Sequence, residues 1–240
     1  MKTITLEVRP REYQIEEAFK TLRTNIQFCG EEKKVIAISS CTPNEGKSKV
    51  SLQLAMALAE AGKKTVLIDA DMRKSVLVGE TRPSEQKLQG LSHYLSGQTP
   101  LQDVIYMTNF PNLFIVYSGP FPPNPSELLS SKQFRGMLQA LRKVYDYIIV
   151  DTPPMGNVID GAVIAKNCDG VVLVIESGAV SYRFAQNVKA QLERSDSPIL
   201  GVVLNKVDIH KNSYGKYYGK YYGRYSRDAA ENTADPEERQ

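Results

Sequence analysis

The 240-residue chain is 42% hydrophobic and 24% charged, enough apolar material for one core, and its length fits one ordinary domain or one domain with appendages. Its formal charge of +3 is too small to point to nucleic acid as a partner. No apolar run approaches the ~18 residues of a membrane span, and the start MKTITLEVRPRE carries no apolar signal segment.

In chain order, residues 12–28, EYQIEEAFKTLRTNIQF, read as an amphipathic helix lying outside the core. Then come six short runs rich in Val and Ile: VIAIS (35–39), TVLIDA (65–70), NLFIVY (112–117), YIIVD (147–151), GVVLVIE (170–176) and PILGVVLN (198–205). Nearly continuous apolar runs are how strands read when both faces of a parallel sheet are covered. Helical stretches fall between them. Residues 47–61 form one, with Gly62 as its stop. A second follows Asn124, the expected N-cap, with Pro125 in the first helical position and Glu127 spaced for a capping box. A third covers 181–194. Strand and helix alternating in this way predict a doubly wound, mainly parallel α/β sheet with right-handed crossovers. Residues 209–240 read as a mobile tail, too rich in glycine and charge to offset the entropy of ordering.

Ligands of such sheets bind at the carboxyl ends of the strands. The first strand ends in CTPNEGKS, residues 41–48, which has the P-loop spacing with Cys41 in place of the first glycine. Backbone N–H groups from Asn44 to Lys49, at the opening of the helix, are expected to face phosphate. Lys47 is expected to bridge the phosphates, pointing at them rather than into the core, and Ser48 to ligate Mg²⁺. The second strand ends in VLIDADMR, which places Asp69 and Asp71 one residue apart with Arg73 beyond. Two such carboxylates repel each other unless a cation binds between them. The fourth strand closes on Asp151 in IIVDTPP, a Walker B pattern whose carboxylate orients Mg²⁺. The sixth ends in NKVD, beginning at Asn205. That tetrapeptide resembles the guanine-reading motif of GTPases, but DTPP lacks the glycine with which a GTPase switch senses the γ phosphate. ATP is therefore preferred, with Asn205 at the adenine. His93 and His210, the only histidines, sit in no motif. The cysteines Cys29, Cys41 and Cys168 are odd in number and lack metal-like spacing, which fits a reducing cytosol.

These motifs, with GPFPPNPSELLSS at 119–131 and the terminal YGKYYGKYYGRY at 214–225, resemble the bacterial tyrosine kinases that serve Gram-positive capsule or exopolysaccharide synthesis. The resemblance covers about residues 12–225. It implies a P-loop fold related to MinD and ParA, with ATP and Mg²⁺ as cofactors. The implied catalytic set is Lys47, Asp69, Asp71 and Asp151, with Asp71 taking the tyrosine proton. Ser48, Asp69 and Asp151 would serve the metal. Autophosphorylation in trans is implied at Tyr214, Tyr217, Tyr218, Tyr221, Tyr222 and Tyr225. Glu17, Lys20 and Arg23 match a helix motif for ring-like homo-oligomers, with Lys20 replacing the family's middle arginine and its bidentate fork. The implied organisation is an oligomerisation helix region (1–30), a kinase domain (31–208) and a flexible tail (209–240). Implied partners are a transmembrane chain-length or activator protein and a tyrosine phosphatase, so that the chain works in the cytoplasm at the inner face of the membrane. Two other classes remain. One is a MinD- or ParA-like ATPase switch, which usually has a lysine where this chain has Thr42; the other is an ATP-binding adaptor without transfer activity.

Overall fold

The computed structural model describes residues 1–156, 159–194 and 196–208. Met1–Asn205 make up one unit and the chain from Lys206 another; every helix and strand named below belongs to the first. The tyrosine cluster and the tail expected over 209–240 lie outside the described residues.

In chain order the elements are β1 (Lys2–Ile4), α1 (Tyr13–Phe28), β2 (Val35–Ser40), α2 (Lys47–Glu60), β3 (Thr65–Asp69), α3 (Leu77–Thr81), α4 (Leu91–Leu95), α5 (Leu101–Val104), β4 (Tyr106–Thr108) and β5 (Leu113–Val116). They continue with α6 (Pro125–Ser130), α7 (Lys132–Leu141), β6 (Tyr147–Asp151), α8 (Asp160–Ala165), β7 (Gly170–Glu176), α9 (Tyr182–Arg194) and β8 (Ile199–Asn205). The sheet order is β1-β4-β5-β3-β6-β2-β7-β8. All neighbours are parallel except β4 and β5, which pair antiparallel. All six expected strands are present within a residue or two of their predicted bounds. The two three-residue strands β1 and β4 carry no apolar run, and the sequence patterning misses them.

Alternation along the central strands sorts the core into two faces. Ile36, Ile38, Leu67 and Ile149 pack with Leu54 and Leu58 of α2. Val66, Ile68, Ile148 and Val150 face the other way, against Leu129, Phe134 and Leu138 of α6 and α7. Helix α2 is buried on nearly every side, because α1 lies over it, with Phe19, Leu22 and Ile26 in the same cluster. It ends as expected: Gly62 takes φ +79° and donates to the Ala59 carbonyl.

One expected cap takes a different form. Asn124 precedes α6 and Pro125 opens it, yet the Asn124 side chain caps no backbone group. Its amide donates instead to the Glu127 carboxylate at 2.8 Å. Two side chains that were to serve backbone N–H groups thus satisfy each other, while the Asn124 carbonyl still starts the helix by accepting from Leu128 N–H.

Candidate active site

Strands β3, β6 and β2 are neighbours; β3 and β6 end level, with Asp69 opposite Asp151, while β2 has Ile38 opposite Asp151 and runs two residues further to Ser40. The phosphate loop leaves β2 just beyond. Gly46 closes the loop with φ +91°, and Lys47 begins α2. A Cβ at position 46 would lie 2.2 Å from the Asn205 amide nitrogen, so both backbone and space demand glycine. Asn44 is exposed and left-handed at φ 68°, and Lys49 projects outward from the first turn of α2.

Four ionisable groups meet above the strand ends. The Lys47 ammonium lies 3.0 Å from Asp71 Oδ2 and donates to Ser48 Oγ at 3.3 Å. Asp69, Asp71 and Asp151 are all 3% exposed or less, and Lys47 only 9%. The lysine expected to point away from the core is therefore held among carboxylates. Asp151 accepts from Ser51 Oγ at 3.1 Å. Asp69 accepts from the Asp71 N–H at 3.2 Å and from the Ser75 hydroxyl. Burial first, then the Asp151 charge, pushes the Asp69 carboxyl up to about 7. Burial also raises Asp151. For Lys47 burial pulls downward, but Asp151 and Asp71 outweigh it and the ammonium is held above its usual value. Three carboxylates against one ammonium leave the pocket short of positive charge. Among the described residues no set of three or more His, Cys, Asp or Glu is arranged to hold a metal by itself. Magnesium does not need one: one or two carboxylates, a hydroxyl and phosphate oxygens suffice, and Ser48 beside Asp151 fits that donor set.

Glu45 behaves unlike the rest of the loop. Its carboxylate turns inward and accepts from Thr42 N–H and from Thr42 Oγ1 at 2.7 Å, and from Glu176 N–H at 3.0 Å. Only its backbone is left to face a ligand. Asn205 donates to the Glu45 carbonyl at 2.8 Å, which places it against the phosphate loop. Cys41 is buried in the loop, and burial followed by the Glu45 charge pushes its thiol up to about 11. Of the helix motif, Lys20 pairs with Glu16 and Glu17 on α1 itself. Arg23 donates to the Ala57 carbonyl in the last turn of α2 at 3.0 Å.

The structure adds partners that the sequence patterning did not single out. Ser51 lies one helical turn after Lys47, a spacing that could have revealed it. Ser75 and Asp160 belong to no motif. Asp160 takes the Arg73 guanidinium, Nε to Oδ2 at 2.6 Å.

A family model described as an AAA domain matches residues 33–196. The tyrosine-protein kinase CpsD of Streptococcus agalactiae is 49% identical over 202 residues, covering 84% of this chain and 88% of that protein. The chain belongs to the CpsD tyrosine-protein kinase family. The crystal structure of the chimerical protein CapA2B2 agrees with the fold at a TM-score of 0.77 and 36% identity, covering 83% of this chain and 87% of that one. MinD of Pyrococcus horikoshii, solved with Mg-ADP, shares the fold alone at a TM-score of 0.62 and 24% identity, over 74% of this chain and 72% of its own. As a CpsD-family domain of P-loop fold, the unit binds nucleotide, and the strand-end cluster around Lys47 lies where ligands of such sheets bind.

Proposed function

We propose that the chain is a protein-tyrosine kinase that moves the γ phosphate of ATP onto its own C-terminal tyrosines in trans and so regulates capsule or exopolysaccharide synthesis. One observation carries the mechanism: the buried Lys47 ammonium rests on Asp71 Oδ2 at 3.0 Å. Incoming phosphates compete for this lysine. Once Lys47 turns to them, Asp71 is a carboxylate without its cation and can accept a phenolic proton. The tyrosine oxygen then bonds to the γ phosphorus, the bond from that phosphorus to the β-bridging oxygen breaks, and ADP leaves. Phosphoryl transfer asks mainly for such positioning and charge neutralisation.

Gly46, Lys47 and Ser48 with the backbone of Asn44, Glu45 and Lys49 hold the phosphates in this reading, and Asn205 stands on the base side. Ser48, Asp69 and Asp151 would hold Mg²⁺, which supplies charge neutralisation between the phosphates. The acceptors are Tyr214, Tyr217, Tyr218, Tyr221, Tyr222 and Tyr225. Several tyrosines on one tail raise the local acceptor concentration. Glu17, Lys20 and Arg23 would join subunits into a ring. Clustered phosphotyrosines, each near −2, would no longer dock in an anionic pocket, so phosphorylation would open the ring and a phosphatase would reset it. No described helix is long and apolar enough to cross a membrane. A transmembrane activator would hold the kinase at the inner membrane face.

The test is incubation of the purified chain with labelled ATP and Mg²⁺, with and without a candidate activator segment, followed by phosphotyrosine mapping. Label at 214–225 is expected. ATP hydrolysis without any phosphotyrosine would instead support an ATPase switch, and nucleotide binding without turnover an adaptor.

A further inference from the structure

Asp160 opens α8 with no solvent exposure. A buried carboxylate is costly unless paired, and here the guanidinium of Arg73 forks onto it, Nε to Oδ2 at 2.6 Å and Nη2 to Oδ1 at 3.4 Å. The Ser126 hydroxyl of α6 closes the junction. It donates to Asp160 Oδ1 and accepts from Arg73 Nη2 at 3.2 Å.

Both ends of this junction lead to the reacting groups. Arg73 stands two residues after Asp71, in a turn folded on itself: Lys74 N–H donates to Asp71 Oδ1 at 3.0 Å, and the Ser75 hydroxyl to Asp69. At the other end, α8 begins hard against the turn that follows Asp151. A Cβ on Gly161 would lie 2.5 Å from Met155 Sδ and 3.1 Å from the Pro153 carbonyl. The Arg73–Asp160 pair thus ties the Asp71 turn to the segment leaving Asp151. Lys47 holds Asp71 in the resting geometry. A phosphate that draws Lys47 away removes that hold, and the Asp71 carboxylate is then kept in place by its own turn, through Lys74 N–H, and by the tether that fixes that turn.

We propose that Asp160 is a positioning residue for phosphoryl transfer, acting through Arg73 to fix the turn that carries Asp71. The inference rests on the kinase reading above.

The test compares Asp160→Asn, Arg73→Lys and the double variant in the full chain. Transfer to a peptide carrying residues 213–226 and ATP hydrolysis without peptide are both followed, along with melting temperature. Arg73→Lys keeps the charge that Asp160 needs and loses only the fork. Each single variant is expected to lower kcat at least about tenfold, with KM for ATP within about twofold. The double variant is expected to be no slower than the worse single, because both break one tether. A folded Asp160→Asn with wild-type kcat overturns the proposal. So do single losses that multiply in the double variant, or a kcat loss that recovers on cooling in step with stability. Should Asp160→Asn not fold, Arg73→Lys and Ser126→Ala decide by the same criteria. A wild-type chain that hydrolyses ATP without labelling the peptide sinks the tail reading, and the tether is then judged on hydrolysis.

Discussion

Replacing Lys47 by Met should do more than stop catalysis. The sequence patterning gives the lysine a role toward phosphate alone, for which Met would leave the fold almost untouched. The structure gives it a second role. Its ammonium lies 3.0 Å from Asp71 Oδ2, with side-chain exposures of 11% and 4%, and Asp151 and Asp69 also act on it. At an effective dielectric of about 20 a pair at this distance attracts by roughly 5 kcal/mol. Breaking a buried pair by removing one partner costs about 3–5 kcal/mol, because the other charge stays behind. Here Asp71 stays behind without its partner, and Asp69 and Asp151 lose the ammonium that opposes the effect of their burial. For a unit of this size that corresponds to a melting temperature lower by about 10 °C, in nucleotide-free protein. Adding Asp71→Asn to Lys47→Met removes the stranded charge and should recover at least about 1 kcal/mol. Differential scanning fluorimetry and urea titration of wild type, both single variants and the double variant measure this, with phosphotyrosine formation read alongside. Transfer should be absent whenever Lys47 is absent. If Lys47→Met melts with wild type, or if the double variant melts below it, the lysine does not balance these carboxylates and the electrostatic argument fails.

Asp71→Asn alone should still bind nucleotide while transfer collapses by about 100-fold or more, the scale of general-base catalysis; lost binding with unchanged transfer per bound ATP would make Asp71 a binding residue only. Glu17→Ala with Arg23→Ala should give a smaller species on sizing and weaker phosphorylation in trans. Arg23 also serves the Ala57 carbonyl, so a loss of about 1 kcal/mol in stability should accompany it, and an unchanged oligomer in a less stable protein would leave Arg23 with that internal role alone. Cys41, with its thiol pushed up to about 11, holds only about a thousandth as thiolate at pH 8. Maleimide at that pH should label the half-buried Cys29 and spare Cys41; rapid modification of Cys41, read by mass spectrometry, would mean that the P-loop opens.

The parts legible in the sequence are those where one strand's composition speaks for itself. Strands β2, β3, β6 and β7 have both faces covered or nearly so, and their apolar runs mark both their presence and their ends; β8 shows the same kind of run although it lies at the sheet edge with Val202 and Leu204 exposed. The charged residues that close those runs, Asp69 and Asp151, were legible for the same reason. Strands β1 and β4 were not, because three residues at a sheet margin bury too little to leave a pattern. Asp160 was not either. Its meaning lies in a contact with Arg73 across 87 residues, and nothing local distinguishes an aspartate at a helix start from an ordinary first-turn acid. Glu45 was legible as a member of the loop, but not the inward turn of its carboxylate, which depends on Glu176 N–H at the end of β7.

The bond from Asn205 to the Glu45 carbonyl joins residues 160 apart. Synthesis at about 5–20 residues per second therefore separates the emergence of the P-loop sequence from that of its closing amide by roughly 8–30 s. Throughout that interval the nascent chain carries the loop without the side chain that sits against Gly46. The contact that braces the Glu45 carbonyl is thus made late in translation, only once β8 has been synthesised, and a ribosome stalled before codon 205 would display a Walker sequence that lacks it.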